Sequence, residues 1–267
     1  MSAYYQFIDR QIDEQGVVTA RYRSTIHAQG AWNEHEQHMA PASGVIAAEL
    51  EQFQPRDDVR IGRISYDIFG LIAAGEFSII TRIVRPGKTI ELVEAEMRAN
   101  DRTCIVARAW RMGIQDSSEV GGLEDLAVQQ PDALPAWYGM SRWPGGFIQT
   151  LETRAVEGHR AGKGIVWLNT EKDMVEGEPT SDFVHLVGLM DTANGIVPRQ
   201  DSDVFYWAYP NLDLQVHLYR LPTGRWLGLE AVQQLGDDGV GLTSAVLHDV
   251  NGPFGRSEQI LTLRKMV

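Results

Sequence analysis

The stretch Thr180–Pro198, TSDFVHLVGLMDTANGIVP, decides the fold. Thr180 or Ser181 suits a helix N-cap, because a hydroxyl oxygen accepts from the unpaired N–H groups of the first turn; Asn194-Gly195 is a common helix-ending pair. Between them, Phe183, Val184, Leu186, Val187, Leu189 and Met190 occupy nearly the whole circumference of a helix. A surface helix keeps a polar stripe, so one that is apolar all round is buried on most sides. A sheet that curls about the helix meets that demand.

A second helix is expected over Pro41–Phe53, PASGVIAAELEQF, with Pro at its start, good helix formers after Gly44, and Gln54-Pro55 beyond its end. Each helix is followed by runs with strand character. In the first half these are RIGRISYDIF, GEFSIITRIV, KTIELVEAEMR and RTCIVARAWRM. In the second they are VFYWAYP, NLDLQVHLYRL, RWLGLEAVQQL, VGLTSAVLHDV and FGRSEQILTLR. Each helix is also preceded by a strand candidate, VVTARYRSTIHA and FIQTLETRAVEG, and the turns Arg85–Lys88 (RPGK) and Leu221–Arg225 (LPTGR) hold corresponding places. The pattern is an internal duplication. It predicts an α+β chain with one unit over residues 1–112, a turn-rich linker over 113–144 and a second unit over 145–267. Two generic α+β sandwiches are the competing arrangement.

Composition narrows the function. In the 267-residue chain, 24 Lys and Arg face 36 Asp and Glu, a net charge of −12, so a general nucleic-acid binder would work against its own field. A ligand with a few phosphates remains compatible with a local basic cluster. The single cysteine, Cys104, lies in an apolar run and reads as a small buried hydrophobe, which excludes a disulfide framework. The opening MSAYYQFIDRQIDEQG is polar and acidic and does not read as a signal peptide, and no apolar run approaches the roughly 18 residues of a membrane span. A cytoplasmic protein is expected, with no membrane partner.

Several catalytic patterns fail on the residues that would do the chemistry. Gly139–Trp143, GMSRW, lacks the last Gly of a nucleophile elbow and follows no strand. Gly158–Gly164, GHRAGKG, has the wrong spacing for a phosphate loop. In NEHEQHM, His35 and His38 are three apart where a helical zinc pair needs four, so no metal is expected. Asn211–Arg220, NLDLQVHLYR, alternates Leu212, Leu214, Val216 and Leu218 with Asp213, Gln215, His217 and Tyr219. One face is apolar; the other carries a carboxylate, an amide and an imidazole.

The order of landmarks from Tyr209 to Arg264 resembles the C-terminal half of acyl-CoA thioesterase II and its relatives. These landmarks are Leu212-Asp213, Arg220, Trp226-Leu227, the turn Gly239–Gly241, Asp249 to Gly252, and Gln259; HMAPASG, His38–Gly44, is the counterpart in the first half. The resemblance implies a double hotdog, two antiparallel sheets each wrapped around one long helix and packed as an intrachain pseudo-dimer. It also implies hydrolysis of an acyl-CoA thioester without a cofactor. The family's Asp, Thr and Gln position and activate water. Asp213 and Gln259 match the first and last. The Thr position falls on Gln233 or Gln234, and Gln233 shares a face with Leu227, Leu229 and Ala231 and so points inward. On this reading Asp213 is the general base and Gln259 orients the water, while N–H groups at Ser43-Gly44 take the oxyanion. Gly44 equally suits plain helix-start geometry. Arg220 and Arg225, and Arg82, Arg85 and Lys88 at the corresponding turn, read as solvated charges.

Two other functions compete: an acyl-CoA binder whose water site is disabled by Gln in place of Thr, and a hotdog hydratase or dehydratase. The latter relies on a paired Asp and His in a distinctive loop that the sequence does not display. Apolar outer sheet surface leads us to expect a homodimer or larger homo-oligomer.

Overall fold

The two long helices lie side by side in the middle of the molecule. A computed structural model describes residues 3–31, 33–200 and 206–266. Its first half runs β1 (Ala3–Ile12), β2 (Val18–Ser24), α1 (Met39–Gln52), β3 (Val59–Ile68), β4 (Glu76–Arg85), β5 (Ile90–Ala99) and β6 (Arg102–Gly113). The second runs β7 (Leu151–Ala155), β8 (Lys163–Thr170), β9 (Asp173–Val175), α2 (Asp182–Met190), the single turn α3 (Ala193–Ile196), β10 (Trp207–Ala208), β11 (Asp213–Leu218), β12 (Leu227–Leu235), β13 (Val240–Asp249), β14 (Gly252–Thr262) and β15 (Arg264–Lys265). Of the strand expected over VFYWAYP, only Trp207–Ala208 forms; its opening residues Val204 and Phe205 lie outside the described residues.

Thirteen strands form one sheet in the order β7-β8-β12-β13-β14-β11-β3-β6-β5-β4-β2-β1-β9. Read outward from the central β11/β3 pair, the two halves give the same succession of strands. The antiparallel register at that junction sets Leu214 against Tyr66 and Val216 against Ile64, all four buried. Two strands precede α1 and three, the last of only three residues, precede α2, where the sequence suggested one each. The strand before α1 that the sequence shows, β2, takes the place of β8 rather than of the FIQTLETR strand β7. Both β1 and β8 escaped the pattern, β1 because its outer residues are polar and β8 because the glycines of GHRAGKG mask its start.

Phe183, Val187 and Met190 are buried, as an all-apolar helix requires. Ser181 caps α2, its Oγ accepting from the Val184 N–H at 3.2 Å. α1 starts two residues earlier than expected, at Met39, with His38 as its N-cap: Nδ1 accepts from the Ala40 N–H at 3.0 Å. The helices cross where Gly44 meets Gly188; a Cβ on Gly44 would lie 2.9 Å from the Gly188 Cα. Neither position leaves room for a larger residue without movement, which is how two buried helices come this close.

Candidate active site

The end of α2, the start of α1 and the segments 68–72 and 208–212 enclose a cavity of 710 Å³. Backbone bonds tie its walls together: the Ile68 N–H donates to Leu212 O at 2.9 Å and the Leu212 N–H to Ile260 O at 3.1 Å. Met39, Ile68, Ile72, Met140, Trp143 and Ile148 supply an apolar lining. Three polar side chains converge on Asp191, the C-cap of α2.

Asp191 is buried, and three side chains address it from three directions. Gln259 Nε2, from β14, donates to Oδ1 at 2.9 Å and to the backbone carbonyl at 3.1 Å. Asn211 Nδ2, just ahead of β11, donates to the same Oδ1 at 2.8 Å. His38 Nδ1 stands 3.7 Å from Oδ2, which brings a residue of the first half to the carboxylate of the second. Burial pushes the Asp191 carboxyl up to about 7, and the donors from Asn211 and Gln259 only partly offset this. Burial acts oppositely on a base, and the His38 imidazole falls to about 4. At neutral pH the cavity therefore holds a neutral imidazole beside a carboxyl group close to its midpoint.

Family models match both halves of the chain. The acyl-CoA thioesterase N-terminal domain covers residues 28–112, and the acyl-CoA thioesterase C-terminal domain covers residues 127–263. The chain belongs to the acyl-CoA thioesterase family. It is thus a thioester hydrolase by family. Solved structures resemble it over nearly their whole length at low identity and show a hotdog fold. A conserved protein of unknown function with hot dog fold from Alicyclobacillus acidocaldarius has a TM-score of 0.75 at 13% identity, covering 97% of both chains. A putative thioesterase II from Thermobifida fusca has a TM-score of 0.70 at 14% identity, covering 96% of both. An acyl-CoA thioesterase II from Mycobacterium marinum has a TM-score of 0.66 at 15% identity, covering 97% of this chain and 95% of that one. No curated protein sequence matches the chain.

Against the thioesterase pattern, the expected site residues are only partly brought together. Gln259 faces inward and is fully buried beside Asp191. Asp213 does not join it. Adjacent residues of a strand point to opposite faces, and Asp213 stands level with Ile260 and across from Asp67 on the outer face. Its Oδ1 accepts from the Ile260 N–H at 2.7 Å and its Oδ2 from Gln215 Nε2 at 3.1 Å. Gln233 is buried and inward, while Gln234 is exposed. The Gln233 amide is committed to the segment after α2: Oε1 accepts from the Arg199 N–H at 3.1 Å, and Nε2 donates to Asn194 O at 3.3 Å and to Thr243 Oγ1 at 3.4 Å.

Ser43 and Gly44 also stand elsewhere than an oxyanion site needs. Because α1 begins at Met39, they lie more than a turn inside it, where N–H groups are paired along the helix. Ser43 Oγ donates to Ala40 O at 2.7 Å, and Gly44 serves the helix crossing.

His35 is exposed beside Glu34 and is separated from the cavity that His38 lines. Arg220 is a structural residue of the family pattern. Its guanidinium holds both oxygens of the fully buried Asp249, at 2.5 and 2.7 Å, and donates to Gly252 O at 2.7 Å.

The sequence did not expose Asp191, Asn211 or His38 as a site. Asp191 reads as the polar end of an apolar helix and Asn211 as a turn residue. Their common signal is a carboxylate closing a helix otherwise buried all round, since such a group enters the protein interior with it.

Proposed function

We propose that this protein hydrolyses an acyl-CoA thioester with Asp191 as the general base. The observation that carries the reading is a buried carboxylate in the cavity wall, fixed through one oxygen by Gln259 and Asn211, with a midpoint of about 7. A base poised near the working pH accepts a proton readily and returns it readily. A water on the Oδ2 side of Asp191 gives its proton to the carboxylate as its oxygen bonds to the thioester carbonyl carbon. The tetrahedral intermediate then expels the thiolate, breaking the C–S bond, and the thiolate takes the proton back from Asp191. The apolar lining receives the acyl chain.

Within this reading the two halves, residues 1–112 and 145–267, act as hotdog units wrapped about α1 and α2, with 113–144 joining them. Asp213, which the family resemblance favours, is the competing base; its outward carboxylate, held by its own strand neighbours, supports Asp191 instead. Exposed Ile83, Val84, Ile90 and Met112 on neighbouring strands support self-association, which light scattering measures directly. No described helix is long and apolar enough to cross a membrane.

A panel of acyl-CoA substrates with thiol detection tests the reading. Saturable thiol release, lost by about 10² or more in kcat in Asp191→Asn, is the expected result. Ligand-induced thermal stabilisation without thiol release would mean that the protein only binds acyl-CoA.

A second reading, hydration of an enoyl thioester, is favoured by the placement of His38 3.7 Å from Asp191. On that reading the imidazole and carboxylate, one from each half, would serve as its Asp–His pair. Loss of enoyl-thioester absorbance without thiol release would select it.

A further inference from the structure

The start of α1 is poor in hydrogen-bond donors. A helix N-terminus normally presents several unpaired N–H groups, which suit a developing negative charge. Here the Ala40 N–H is taken by His38 Nδ1 at 3.0 Å, residue 41 is proline, and the Ala42 N–H reaches His38 O at 3.4 Å. Of the first turn, that leaves Met39.

The residue that uses up the Ala40 donor supplies another. Because Nδ1 accepts a backbone N–H, the neutral ring carries its proton on Nε2. Among the described residues no protein group accepts from Nε2. The ring lines the cavity and is 17% exposed, so the cavity is what its Nε2–H is left to address. The Phe147 ring, 4.5 Å away centre to centre, fixes its plane. Burial keeps it uncharged at neutral pH, with a midpoint of about 4.

We propose that His38 is the oxyanion donor of the hydrolysis: its Nε2–H hydrogen-bonds the thioester carbonyl oxygen as negative charge develops there, replacing the N–H groups that α1 does not offer. No proton moves to or from the ring; Asp191 carries the proton of the attacking water. A neutral imidazole suits this task because it donates without giving up its proton. The inference rests on hydrolysis at the Asp191 cavity.

The test compares His38→Asn and His38→Ser with Asp191→Asn in the full chain. Asn and Ser are good N-caps whose side-chain oxygen can keep the Ala40 bond while the ring N–H is lost. Both variants are expected to keep the wild-type melting temperature within a few degrees, to lose about 10² to 10³ in kcat, and to keep KM within a few fold. Turnover within about threefold of wild type in either folded variant, alongside an inactive Asp191→Asn, would overturn the role of His38 and leave the hydrolysis reading standing. An active Asp191→Asn would instead sink that reading. Should both His38 variants fail to fold, the ring nitrogens of the unaltered protein decide by ¹⁵N NMR at neutral pH. A protonated Nε2 with a bare Nδ1 is required; a charged ring or a proton on Nδ1 refutes the proposal.

Discussion

Gln259 of β14 and Asn211, just ahead of β11, donate to a single oxygen of Asp191, at 2.9 and 2.8 Å, from positions 48 residues apart in the sequence. Each donor favours the charged carboxylate, burial disfavours it, and burial wins. Removing a donor therefore moves the midpoint further up. In Gln259→Leu the rise of kcat/KM with pH, expected near 7 in the wild type, shifts upward, so the loss of activity is larger at pH 7 than at pH 9. A pH–rate profile checks this, and an unmoved midpoint would mean that Asp191 is not the titrating base.

The same burial makes Asp191 a burden on stability at high pH. Its ordinary midpoint is 3.8 and its folded one about 7. Below about pH 4 both states hold it neutral and it has no effect. As pH rises to 7 the unfolded chain releases the proton first, so folding loses stability; above 7 the loss is constant. Asn keeps the oxygen that Gln259 and Asn211 address and does not titrate. Asp191→Asn is expected to be more stable than the wild type by a margin that grows from pH 4 to 7 and then levels off, up to about 4 kcal/mol. Thermal melts across that range measure it, and a gap independent of pH would contradict the assignment.

How much could be read beforehand follows from what each feature depends on. The α2 helix and most strands were legible because burial writes itself locally, as a period of 3.6 or 2. Gln259 was legible through the family resemblance, and strand alternation put Asp213 on the polar face. The resemblance nevertheless drew it into the site with Gln259, and the register with Ile260 and Asp67 separates the two. Asp191 and His38 meet only through the antiparallel packing of α1 and α2 across the two halves, a long-range relationship with no local period. The two-residue error at the start of α1 had a physical cause as well: His38 is an uncommon N-cap, and Pro41, which looked like the first helical position, sits at the third.

Arg220 and Asp249 form the ion pair on which the β11–β12 turn hangs. Burial raises the Asp249 carboxyl, but the Arg220 guanidinium and the Thr223 and Asn251 N–H groups pull it below its ordinary range. Arg220→Ala leaves that carboxylate buried without its counter-charge, at an expected cost of about 3–5 kcal/mol. Arg220→Lys should recover less than half, because an ammonium cannot bridge both oxygens. Denaturant titrations give both numbers; equal stability of the Lys variant and the wild type would refute the bidentate role.

Gly44 and Gly188 should respond differently to alanine. A Cβ on Gly188 meets the flexible Met174 side chain at 2.7 Å and the Gly44 Cα at a comfortable 3.6 Å, whereas a Cβ on Gly44 meets the Gly188 backbone at 2.9 Å. Met174 can swing aside, and the gain in helix propensity of up to about 1 kcal/mol offsets that. The backbone contact cannot be relieved without spreading α1 from α2. Gly188→Ala is expected within about 1 kcal/mol of wild type, and Gly44→Ala about 1–3 kcal/mol less stable. The reverse order would mean that the helices are not held together at this crossing.

Asp213 and Asp191 are the two carboxylates between which the catalytic assignment lies, and conservative amide variants separate them. Asp213→Asn keeps an acceptor for the Ile260 N–H and loses only a charge on the outer face of the sheet, where Gln215 is its other partner. Its kcat is expected within about threefold of wild type, since no group that lines the cavity touches its carboxylate. Asp191→Asn removes the one carboxylate that Gln259 addresses, and a loss of about 10² or more in kcat with KM little changed is expected. The double variant should match Asp191→Asn alone, because a group outside the site has nothing further to remove. If the losses are exchanged, with Asp213→Asn inactive and Asp191→Asn near wild type, water is activated from the β11 side and the cavity at the end of α2 serves the acyl chain only.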